Sequence, residues 1–147
     1  MDRTLRGLVW AMGVACVAIG IFHFALGIHS VPGEGGAGAT VDSRERFYGA
    51  IFFGYGLVWI WTARRSPVPA SAVRWLAVVF LLGGVGRLLS MALVGQPHWF
   101  QIALTVIELA LPAVFFWLAD ADEKRIARPV GSRPEPTANV WRPLGHD

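Results

Sequence analysis

Residues 73–119 read VRWLAVVFLLGGVGRLLSMALV-GQPHW-FQIALTVIELALPAVFFWLA. Two apolar runs, 73–94 and 100–119, flank a tight turn made by Gly95, Gln96, Pro97 and His98. Each run has roughly the 20 residues needed to cross about 30 Å of hydrocarbon at a rise of about 1.5 Å per residue. A turn this short makes the two helices antiparallel neighbours. Each helix carries one deep ionisable residue, Arg87 in the first and Glu108 in the second. Counted from the turn, Arg87 lies about 10 Å and Glu108 about 12 Å below the same face, so their depths match. A charge at that depth costs on the order of 3 kcal/mol unless it is paired or hydrated. The expectation is an Arg87–Glu108 pair inside the bundle, with guanidinium and carboxylate joined as a bidentate fork.

Outward from that pair, residues 7–28 and 47–63 form two further apolar runs. The run at 47–63 is the shortest, bounded by Arg44, Glu45 and Arg46 on one side and by Arg64 and Arg65 on the other. The 147 residues are 54% hydrophobic and 16% charged, with a mean hydropathy of +0.50, which is too apolar for a soluble domain of this size. The expected fold is therefore all-α: an integral membrane four-helix bundle over residues 1–119, with spans at about 7–28, 47–63, 73–94 and 100–119. Between the first two spans, residues 30–43 contain Pro32 and a run of glycines and read as an exposed loop. Residues 120–147 are charged and Pro-rich and are expected to form a disordered cytoplasmic tail. The run at 7–28 is too long for the apolar region of a cleaved signal peptide and reads as a retained helix.

Charge outside the spans sets the direction. Of the 13 Lys and Arg residues, Arg3, Arg6, Arg64, Arg65, Arg74 and the five from Lys124 to Arg142 fall on one side, and only Arg44 and Arg46 on the other. The positive-inside rule places both termini in the cytoplasm and the Gly-rich loop outside. Trp61, Trp75, Trp99 and Trp117 lie near span ends, where amphipathic rings favour the headgroup layer. The net charge of +3 thus reflects topology, and without basic residues interleaved with aromatics on a soluble face it excludes nucleic acid as a partner. The single cysteine, Cys16, leaves no intrachain disulfide and no cysteine cluster for a metal.

Polar residues recur at helical spacing on one face of each span. Gln101, Thr105, Glu108 and Pro112 form one stripe, and Gly83, Arg87, Ser90 and Val94 another. Gly13, Cys16, Gly20, His23 and Gly27 mark the first span; Glu45, Tyr48, Phe52, Tyr55 and Trp59 mark the second. Gly13, Gly20, Gly27, Gly49, Gly56 and Gly83 read as packing residues that let backbones approach. The stripes converge on an outward-opening cavity whose ligand-binding residues are expected to be His23, Tyr48, Tyr55, Arg87, Ser90, Thr105 and Glu108. His29, Arg44, Glu45, Arg46 and His98 are expected at its rim. Four histidines without metal-ligand spacing predict no metal site. Gly83, Gly84 and Gly86 lie within an apolar helix and form no phosphate-cradling loop.

The Gly20-Ile21-Phe22-His23 end of the first span resembles small bacterial membrane proteins grouped as domain of unknown function 4345 (DUF4345). So do Arg44-Glu45-Arg46-Phe47-Tyr48-Gly49-Ala50, the Gly86-Arg87-Leu88 step and Glu108-Leu109. That family is similar in architecture to DoxX-like four-helix membrane proteins. The resemblance covers about residues 7–118 and implies a four-helix bundle in the bacterial plasma (inner) membrane, without implying a reaction.

Three functional readings follow. The first is a binding module in which the cavity holds a small amphipathic or anionic ligand, such as a lipid, quinone or metabolite, with Arg87 as anion anchor and Tyr48, Phe52 and Tyr55 as walls. The second is a membrane-embedded enzyme or redox accessory in which Glu108 and His23 exchange protons with a hydrophobic small molecule. The third is a structural subunit, in a homo-oligomer or with another membrane-complex partner. Haem and quinone both remain open as cofactors, neither with a specific signal. Besides these, the lipid bilayer is the expected partner.

Overall fold

A computed structural model describes residues 2–33 and 38–127. The described chain is all-α, with four helices: α1 (Asp2–Leu26), α2 (Ala39–Ala63), α3 (Ala70–Leu93) and α4 (Trp99–Ile126). A short 3-10 turn, Gly27–Ser30, follows α1. Three segments, Arg3–Ser30, Ala70–Leu93 and Trp99–Ile126, are long and apolar enough to cross a membrane. Helix α2 is equally long, but Asp42, Arg44, Glu45 and Arg46 occupy its first two turns and shorten its apolar part.

Local chemistry accounts for the helix boundaries. Pro69 precedes α3, where its missing N–H costs nothing, and Val73 N–H closes the first turn on Pro69 O. At the other end of α3, Gly95 has a φ of 122°, and Pro97 prevents the helix from continuing. His98 then caps α4, its Nδ1 accepting from Phe100 N–H.

Two boundaries differ from the sequence reading. Helix α2 begins at Ala39, so residues 39–43 are helical rather than loop, because Asp42 and Arg46 pair one turn apart and anchor this end to the preceding turn. Helix α4 runs to Ile126, so residues 120–126 are helical where the sequence reading begins a disordered tail. Arg74 near the start of α3 bonds Asp120 Oδ1 at 2.5 Å and Glu123 Oε2 at 2.6 Å, tying the added residues of α4 to α3. The remainder of the expected tail, 128–147, and loop residues 34–37 lie outside the described residues.

The bundle is two antiparallel hairpins, α1 against α2 and α3 against α4. Helices α1 and α2 touch backbone to backbone through two glycine pairs. A Cβ added at Gly13 would lie 3.1 Å from Gly56 O and one at Gly56 would lie 2.8 Å from Gly13 O; for Gly20 and Gly49 the reciprocal distances are 2.8 and 2.9 Å. Both partners of each pair therefore have to be glycine for the helices to approach this closely. Gly27, expected to pack in the same stripe, instead makes the turn, with a φ of 55°.

The hairpins share a buried apolar core at one end of the bundle. Leu5, Val9, Trp59, Ala63, Val73, Ala77, Phe115 and Ala119 are buried there. Trp59 and Phe115 stack with centroids 4.7 Å apart. All of these residues lie toward the start of α1 and α3 and the end of α2 and α4, called here the core end. Toward the opposite end the described fully buried apolar residues run out and a cavity takes their place.

Candidate functional site

Helices α3 and α4 supply the polar centre of this cavity. Gly84 lacks a side chain where Glu108 crosses, since a Cβ there would sit 3.1 Å from Glu108 Cβ. Glu108 thus approaches α3 closely enough for its Oε2 to accept from Arg87 Nε at 2.8 Å. The structure therefore brings together the two charges matched by depth, but not as a bidentate fork. Arg87 Nη1 donates instead to Gln101 Oε1, two turns nearer the start of α4. The Glu108 side chain is 12% exposed and that of Arg87 36%, so the pair is neither a surface bridge nor a fully buried one. Its contribution lies between those limits, about 1–3 kcal/mol. One turn beyond Glu108, Pro112 lacks the N–H that would bond Glu108 O.

Helix α1 and its turn close the cavity from the other hairpin. Where α1 ends, Phe24 O and Ala25 O lose their helical donors, and Arg46 Nη1 donates to both at 2.9 Å. Arg46 Nε also donates to Asp42 Oδ2 at 2.8 Å, while Asp42 Oδ1 accepts from Ile28 N–H at 3.0 Å. The Arg46 hydrogen bond, then that from Ile28, holds the Asp42 carboxyl below the usual carboxylate range. This clamp sets the turn over the cavity mouth, so that Ser30, Val31 and Pro32 line it. Ser30 Oγ lies 2.6 Å from Gly27 O and 2.5 Å from His23 Nδ1. A carbonyl can only accept, and the hydroxyl has one hydrogen, which goes to Gly27 O. His23 Nδ1 is therefore the protonated nitrogen, and in the neutral ring Nε2 is left as an acceptor.

The cavity has a volume of about 480 Å³ and draws its lining from all four helices. Of the expected ligand-binding residues, His23, Tyr48, Arg87 and Glu108 line it, as does Glu45 from the expected rim. Tyr55, Ser90 and Thr105 are not among the lining residues. Tyr55 spans the two hairpins by donating its hydroxyl to Leu76 O at 2.5 Å, and Thr105 donates to Gln101 O at 2.8 Å. Ser90 is exposed, one turn beyond Arg87. At the rim, Arg46 is committed to the α1 terminus, His29 and Arg44 are exposed, and His98 caps α4 beside Gly33.

Sequence reasoning did not single out Ser30 and Asp42, and it placed Gln101 in a stripe without a role. The signal for Asp42 was its four-residue spacing from Arg46. The apolar walls, Met12, Ile19, Phe80, Phe100, Leu104 and Leu111, carry no marker that separates a cavity wall from a packed core.

Fold and site together define a small all-α bundle, with three helices of membrane-crossing length and a cavity that is apolar on its walls and polar where Arg87 and Glu108 meet. The chain belongs to the family described as Domain of unknown function (DUF4345), which matches residues 4–119 and so takes in every residue lining the cavity. No curated protein and no solved structure matches it.

Proposed function

We propose that this chain is an integral protein of the bacterial inner membrane that crosses the bilayer four times, with both termini cytoplasmic. In this reading it binds a small amphipathic molecule in a cavity opening toward the periplasm. The outer helix faces support embedding: Leu82, Leu93, Val94 and Val106 are among many large apolar side chains that point away from the bundle. Trp61, Trp75 and Trp117 are exposed at the core end and Trp99 at the cavity end, as interfacial anchors would be. Helix α2 supplies the fourth crossing with its apolar residues 47–63, about 25 Å of helix. The arrangement of Lys and Arg then puts the core end inside.

The observation that carries the binding reading is the cavity itself. A space of about 480 Å³ with apolar walls and a few convergent polar groups is the form that small-molecule sites take. Because Nε and Nη1 of Arg87 are already engaged, its charge is shared with Glu108 rather than held free for an anion, which favours an amphipathic ligand over an anionic one. A lipid, a quinone and an apolar metabolite all have this character.

Native mass spectrometry of the protein released from its own membrane tests binding, with a retained small-molecule mass as the expected result. Topology is tested separately in a Cys16→Ala background. A cysteine replacing Ser43 should react with an impermeant maleimide in intact cells, and one replacing Ser66 should react only after lysis. The reverse pattern would overturn the orientation.

A further inference from the structure

The charge on the cavity wall identifies the class of molecule more closely, given the binding reading above. Arg87 is the one Lys or Arg among the described lining residues, and Glu108 balances it. Glu45 lines the same cavity and forms no hydrogen bond or ion pair with any described residue. The wall thus carries one carboxylate in excess, which opposes a ligand carboxylate and attracts a cation. Four aromatic rings line the same cavity, those of Tyr48, one turn from Glu45 on α2, Phe52, two turns from it, and Phe80 and Phe100 from the other hairpin. Aromatic faces with an adjacent acid are the environment in which ammonium groups are recognised, because the ring quadrupole attracts a weakly hydrated cation.

We propose that the cavity takes an amphipathic organic cation, an alkylammonium with its nitrogen among Glu45 and the aromatic rings and its apolar chain along the walls. In its neutral form the His23 ring adds an acceptor, Nε2, for an ammonium that retains N–H groups.

Binding of four probes of equal chain length to the full chain in an uncharged maltoside detergent tests this: octyltrimethylammonium, octanoate, octanol and octylphosphocholine. Octyltrimethylammonium should bind about tenfold or more tighter than octanoate. Glu45→Gln should remove most of that preference and leave octanol binding unchanged. Tyr48→Leu provides a second test that does not depend on Glu45; it should weaken the cation by about threefold or more relative to octanol. Circular dichroism establishes that both variants are folded. If octylphosphocholine binds tighter than octyltrimethylammonium, a lipid headgroup is the natural source of the cation; if it binds more weakly, the source is a free amine. Octanoate binding as tightly as the ammonium, or a folded Glu45→Gln that keeps the full preference, overturns the proposal while the binding reading stands. Failure of all four probes to bind overturns both.

Discussion

Arg87 divides its donors between an acid and an amide, and that division determines what substitutions at the site should do. Arg87→Ala leaves the largely buried Glu108 carboxylate without its cation and should lower stability by about 2–4 kcal/mol, read as a fall in melting temperature in detergent. The paired exchange Arg87→Glu with Glu108→Arg should recover most of that loss. Gln101 can serve either arrangement, because turning its amide presents an N–H where it now presents an oxygen. A double variant no more stable than either single exchange would show that the pairing contributes nothing. Asp42 makes a pH-dependent contribution of known sign. Its folded pKa is depressed, chiefly by Arg46, so its stabilisation is present above the unfolded value of about 3.9 and is lost as pH falls through the lower folded value. The difference in melting temperature between the protein and its Asp42→Asn variant should accordingly be constant near neutrality and shrink below about pH 4. A difference that widens on acidification would contradict the clamp. Arg87 and Glu108 were legible in the sequence because membrane depth is a simple count of residues. Ser30 was not, since its role depends on a turn that places its hydroxyl between Gly27 O and His23.

At the scale of elements, the hairpin of α1 and α2 depends on glycines seven residues apart in each helix, paired in antiparallel register. Gly20→Ala and Gly49→Ala each place a methyl against a facing carbonyl and should cost about 1–3 kcal/mol, whereas Gly86→Ala meets open space and should be neutral or slightly stabilising. Urea or thermal unfolding of the three variants in one detergent checks the contrast, and equal effects at all three would refute close backbone packing. The glycine spacing was visible in the sequence as a small-residue stripe. The end of α4 was not, because its last turns are held from a distance by Arg74, and no local pattern between 120 and 126 marks that contact. Arg74→Ala should therefore raise amide hydrogen exchange in residues 120–126 while leaving residues 101–115 unchanged. Uniform exchange across α4 would show that the ion pair does not hold its end.

For the whole molecule, the two hairpins share a core at one end and enclose a cavity at the other. Helical periodicity picked out His23, Tyr48, Arg87 and Glu108, which line the cavity, but on α3 the same stripe took in Ser90 and Val94, which are exposed. It could not distinguish residues that line the cavity from those whose hydroxyls are used elsewhere, Tyr55 across the two hairpins and Thr105 within its own helix, because that depends on where along their length the hairpins separate. The binding reading requires a small amphipathic molecule in this space. Ala15 lines the cavity, and Ala15→Phe would obstruct it with a ring without altering Arg87, Glu108 or Glu45. The most direct measurement is native mass spectrometry of the protein and of Ala15→Phe, both released from the same membranes in an uncharged detergent. A discrete bound mass on the protein that is absent from the folded variant is the predicted result; the same mass on both, or none on either, would contradict it.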